Sequence, residues 1–168
     1  MSAGDRWAKA YARQANADLA TWIALAPNKV IPECHKLLFL QMACEKLVKA
    51  HLCSKGTDPA DLQASHGYTA KNLPIIIREH LVAAGKKPNE IVWILKHAKH
   101  LANEIELLAP AVRRGGQRPD NCEYPWEDSG GDLHMPLDWA FQPTNLIVDA
   151  AGRTFIKIMH AAVTELIA

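Results

Sequence analysis

Apolar residues recur along most of this chain at steps of three and four positions, the period of one helix face. Between Asp5 and Leu25 the stripe is Trp7, Tyr11, Ala15, Leu19, Trp22 and Ala26. Between about Glu33 and Lys55, Leu37, Leu40, Cys44, Leu47, Val48 and His51 share a face, and Leu38, Phe39 and Met42 widen it. A helix that is apolar over so much of its surface is expected at the centre of the fold, touched on several sides. Gly56 follows as a left-handed cap. A shorter helix is expected over Leu73–Ala84, with Asn72 as cap, Pro74 in the first turn and Gly85 at its end. A fourth spans Asn89–Ala109 on Ile91, Leu95, Ala98, Ala102, Ile105 and Leu108, and Pro110 stops it. The last begins near Thr144 and runs to the C-terminus on Ile147, Ala151, Phe155, Ile158, Ala162 and Leu166. No stretch alternates apolar and polar residues over five positions or more, so no strand is expected.

The pattern fails between Pro110 and Pro143. Long connections without regular structure are uncommon in compact domains unless they bind, cover or are disordered. This one holds Tyr124, Trp126, Trp139 and Phe141, and disordered segments are poor in aromatics. The expected fold is therefore all-α: an antiparallel bundle of four to five helices with a long ordered loop before the last helix, in one domain over residues 1–168.

Composition narrows the function classes. With 49% hydrophobic and 22% charged residues in 168, the chain has ordinary globular usage and the length for a proper core. Its net charge of +1 gives no whole-molecule attraction to nucleic acid or anionic membrane. No apolar run approaches the roughly 20 residues that span a bilayer. The first residues, Met-Ser-Ala-Gly-Asp-Arg-Trp, lack the basic-then-apolar order of a secretory signal. Cys34, Cys44, Cys53 and Cys122 form no Cys-x-x-Cys pair and read as reduced thiols of a cytoplasmic protein. Zinc spacings and phosphate-cradling glycine motifs are absent, so neither metal nor cofactor is expected.

The local chemistry is concentrated in the loop. Arg113, Arg114 and Arg118, with Lys86 and Lys87 before them, could hold phosphate. Asp120, Glu123, Glu127, Asp128 and Asp132 are close in sequence, and ion pairing within the loop is the plainer reading. Tyr124, Trp126, Trp139 and Phe141 could stack on bases or, more simply, pin the loop to the bundle. His97, His100 and Glu104 share a helix face, which reads as solvated since the Glu-x-x-His signature of di-iron bundles is missing. Glu45, Lys46 and Lys49 read as a solvated edge with i,i+4 pairing.

The segment Met42-Ala-Cys-Glu-Lys-Leu-Val-Lys-Ala-His-Leu-Cys-Ser-Lys-Gly56 resembles the second helix of HEPN domains (higher eukaryotes and prokaryotes nucleotide-binding). Pro59 and His66 ahead of Leu73-Pro74 match the approach to the next helix, and Glu123-Tyr-Pro125 resembles the Arg-Tyr-Pro segment of one branch. The resemblance implies a bundle that dimerises side by side. It also implies pairing with a minimal nucleotidyltransferase in toxin–antitoxin or phage-defence systems. Active members are metal-independent RNases that use an Arg, four to six residues and a His. Here Arg118 is followed by four residues and then Glu123, a weak base at neutral pH. Arg153 and His160 satisfy the spacing, and seven residues put both on one helix face. The reading that follows is a non-catalytic HEPN-like homodimer. It binds a nucleotidyltransferase-type antitoxin, or a nucleotide or RNA, through Arg113, Arg114, Arg118, Glu123, Tyr124 and Trp126. One alternative is an RNase that uses Arg153 and His160 across a dimer, or Arg118 with a histidine such as His134. A helical adaptor without ligand is the other.

Overall fold

A computed structural model describes residues 3–63, 66–110 and 121–168. It is an all-α bundle. The long helices are α1 (Ala3–Leu25), α2 (Glu33–Ser54), α4 (Thr69–Ala83), α5 (Pro88–Leu107) and α7 (Ala150–Ile167). Two short helices, α3 (Pro59–Gln63) and α6 (Gln142–Ile147), connect them. α1 and α2 pack as one antiparallel hairpin and α4 and α5 as another; α7 lies against α1, α2, α4 and α5 and closes the bundle.

α2 is the central helix, as its wide apolar surface predicts. Leu37, Leu40, Ala43, Cys44, Leu47, Val48 and Ala50 are fully buried in it, and α1, α4, α5 and α7 all touch it. Phe155 and Met159 of α7 reach the same core with no exposed surface. Burying such side chains stabilises by roughly 1.5–3 kcal/mol each. Gly56 and Gly85 end α2 and α4 with φ of +94° and +67°, a conformation that side chains resist.

Several local expectations need correction. The buried face of α1 is Ala8, Ala12, Ala15 and Leu19; Trp7 is 41% exposed and Ala26 lies outside. Ala15 and Leu19 of the expected stripe are fully buried and Tyr11 and Trp22 pack half-buried against the core, so within the helix Trp7 is the member that turns outward, and Ala8 and Ala12 extend the buried face instead. The third long helix starts at Thr69, not Leu73, and Pro74 lies inside it. That start is stabilised from outside: the Glu106 carboxylate of α5 accepts from the Ala70 N–H at 2.7 Å. Asn72 is no cap; its amide donates to the Tyr68 carbonyl at 2.9 Å.

The final helix is broken in two. Asp149 caps α7 by accepting from Gly152 N at 2.7 Å, and Gly152 sits against the end of α6. A two-residue ladder, β1 (Trp126–Glu127) with β2 (Leu133–His134), was also not expected. It is too short to leave an alternating pattern. Its turn is built by Asp128, whose carboxylate accepts from Gly130 N at 2.8 Å and Asp132 N at 3.1 Å.

Candidate functional site

The loop and the central helix meet in a cleft of about 440 Å³, lined among others by Met42, Glu45, Lys46, His66, Glu123 and Tyr124. Its floor is α2. Leu38, Met42, Glu45 and Lys46 are three or four positions apart or adjacent, so they share one side of the helix.

Glu45 is not on a solvated edge. It is 9% exposed and Lys49 is 5% exposed. Its carboxylate accepts from Lys49 Nζ at 2.8 Å, from Gln41 Nε2 at 2.9 Å, and contacts His66 Nδ1 at 3.0 Å. Burial pushes the Glu45 carboxyl up, but the bonds from Lys49, His66 and Gln41 outweigh it and hold the group below its ordinary value. A buried carboxylate so well supplied with donors stays charged. Lys46 is tied elsewhere, to Asp18 of α1 at 2.5 Å, and Gln14 donates to the other Asp18 oxygen at 3.2 Å.

His66 stands in the turn before α4 with its side chain 42% exposed. A carboxylate at Nδ1 favours the tautomer with the proton there and leaves Nε2 as an acceptor. That is the arrangement of a histidine prepared to take or give a proton, or to accept a hydrogen bond from a ligand.

Glu123 and Tyr124 are delivered by Asn121. Both of their N–H groups donate to Asn121 Oδ1 at 2.8 Å, while Asn121 Nδ2 donates to the Tyr124 carbonyl at 3.1 Å. Cys122 N donates to Leu108 O at 3.2 Å and ties the same turn to the end of α5. Asn121 and Cys122 are buried, and Tyr124 is left 60% exposed beside the cleft. An asparagine that binds the backbone two and three residues ahead is common turn chemistry. In this sequence it is the signal that could have placed the Glu123–Tyr124 turn.

The remaining candidates are dispersed. Arg113, Arg114 and Arg118 lie outside the described residues. Trp126 is 8% exposed and packs its ring on His134 and, edge-on at 84°, on Trp139, with centroids 5.9 and 5.2 Å away. His134 is held by Asp128 at 2.8 Å, and that bond, with those from Asp132 and Gly130, keeps the Asp128 carboxyl below its usual range. Phe141 is buried in the core. Phe141 thus pins the end of the loop to the core, while Trp126 packs within the loop.

Arg153 and His160 are both exposed on α7. Arg153 binds the Val148 carbonyl and lines a second hollow with Trp22, Glu33, Lys36 and Ile147. His160 is not part of that hollow, and neither residue reaches the α2 cleft. His97 is occupied by the Leu146 carbonyl at 3.0 Å and Asp149 at 3.4 Å. Among the described residues no group of three or more His, Cys, Asp or Glu is arranged to hold a metal ion. The four cysteines are buried free thiols. Among the described residues no helix is long and apolar enough to cross a membrane.

Comparison of the chain with protein-family models, curated proteins and solved structures gives no match.

Proposed function

We propose that this protein is an HEPN-like helical binding module without catalytic activity, and that the α2 cleft is its ligand site for a nucleotide or the end of an RNA strand. One observation carries the reading. The two segments with HEPN resemblance, Met42–Gly56 and Glu123–Pro125, are far apart in sequence and line the same cleft. The cleft also has suitable chemistry. Its volume lies in the range of small-ligand pockets. Tyr124 offers a ring face to a base, and Glu45 and His66 offer acceptors to hydroxyls. The resemblance adds a homodimer working beside a nucleotidyltransferase-type partner in a toxin–antitoxin or defence setting.

A second reading has its own observation. The Glu45–His66 pair is a carboxylate-held histidine at a cleft, which suits a metal-independent ribonuclease.

One set of purified variants separates the two. Binding of mononucleotides and a fluorescent 12-nucleotide RNA is measured beside RNA cleavage in EDTA. The module predicts saturable binding that weakens about tenfold or more in Tyr124→Ala, in line with the roughly 1–3 kcal/mol of a base stack, and no cleavage. Cleavage in EDTA that His66→Gln abolishes would replace the module with the nuclease. Cleavage lost instead in Arg153→Ala and His160→Ala would assign the chemistry to α7. Absence of any binding would sink the ligand site.

A further inference from the structure

The near-neutral charge of the chain conceals an uneven distribution. The hairpin of α4 and α5, residues 69–107, carries Lys71, Arg78, Lys86, Lys87, Lys96 and Lys99 against Glu79, Glu90, Glu104 and Glu106. Six cations less four carboxylates give +2 on a chain whose total is +1. Glu104 and Glu106 are buried, and the two outer carboxylates are engaged locally: Glu79 with Lys55 at 3.8 Å and Glu90 with Lys86 at 3.8 Å.

Between the two helices runs a groove of about 500 Å³. Its rim is Lys71 and Arg78 on α4 and Lys99 across on α5; its floor is Pro74, Ile75 and Leu95. Among the described residues the three rim cations are exposed and make no ion pair, and no carboxylate lines the groove. Ile75 is 44% exposed on a helix whose other isoleucines are buried. The groove shares no lining residue with the α2 cleft.

We infer that this groove is a docking surface for an acidic amphipathic helix of a partner protein. Charge selects an anionic occupant. The floor selects between anions: it is aliphatic and presents no ring on which a base could stack, whereas leucine-like side chains would bury against Ile75 and Leu95. The spacing fits too. Lys71 and Arg78 are seven residues apart, two turns or about 10 Å along α4, which matches carboxylates two turns apart on a helix laid alongside. The rim charges accelerate encounter and choose the partner, and the floor holds it.

The test uses fluorescence anisotropy with three probes on the whole chain: an 18-residue helical peptide with a leucine stripe flanked by glutamates, its twin with lysines for the glutamates, and a 16-nucleotide oligouridylate. The glutamate peptide should bind saturably and more weakly as salt rises. Arg78→Glu with Lys99→Glu should weaken it about tenfold or more, and Ile75→Ser about threefold or more. If the charge reversals lower the thermal midpoint, Arg78→Gln with Lys99→Gln takes their place and should still weaken binding. Equal binding of the two peptides, or none, overturns the inference. So does oligouridylate binding that depends on Arg78 and Lys99 and ignores Ile75→Ser, which would make the groove a phosphate track.

Discussion

Gly152 illustrates how much one residue can decide. A Cβ built there would lie 2.2 Å from the Leu146 carbonyl oxygen and 2.6 Å from that of Ile147. Both contacts are backbone, so no side-chain rotation relieves them. Gly152→Ala should therefore destabilise the protein by about 1–3 kcal/mol, the range of overpacked sites, read as a lower urea midpoint. In an ordinary helix interior the same change stabilises, and a higher midpoint would mean that α6 does not pack there. At the same scale, Asn121 and Asp128 each use one side chain to shape a turn. Turn residues of this kind are visible in a sequence once the turn is known. The partner of Glu45 was not visible, because the contact joins α2 to a turn twenty-one positions ahead. Lys49 at i+4 was legible, and only the burial of the pair was not.

Among the elements, periodicity located every long helix, and the errors are at their ends and faces. α4 begins four residues earlier than propensity indicates, and Pro74 lies inside it; the early start has a carboxylate from α5 waiting for the Ala70 N–H. Glu106→Ala should cost about 1.5–3 kcal/mol, as expected for losing a charge-assisted hydrogen bond at a buried helix end, while Glu106→Gln retains an acceptor and should cost less. Chemical denaturation of the two variants checks the order; equal losses would show that the charge contributes nothing. α1 turns Ala8 and Ala12 to the interior and leaves Trp7 outside, while Trp22 packs on the core, because neighbouring rows share the helical spacing and only the fit against the other helices distinguishes them. The resemblance segments were recognisable one by one, but their meeting in one cleft was not.

At the scale of the whole molecule, buried titratable groups set the response to acid. Burial holds the His51 imidazole below its ordinary value; Glu79 opposes this, and Lys55 and His80 add to it. A histidine that resists protonation when folded contributes stability that is complete above the ordinary histidine value and is lost as pH falls through it. The depressed Glu45 carboxyl contributes stability that is complete above the ordinary carboxylate value and is lost as pH falls through its folded value. Acid should therefore weaken the fold in two stages, near pH 6 and again below about 4.5. His51→Gln should flatten the first stage in urea midpoints taken against pH; an unchanged profile would remove His51 as its source. By itself the sequence determined the helical class and the central place of α2, because a periodic apolar face must be buried whatever its neighbours are. Only the tertiary structure decided that Glu45 is interior, that His66 and Tyr124 share its cleft, and that three exposed cations border an aliphatic groove. Those are relations between separate helices, and pairing across space leaves no period along a chain.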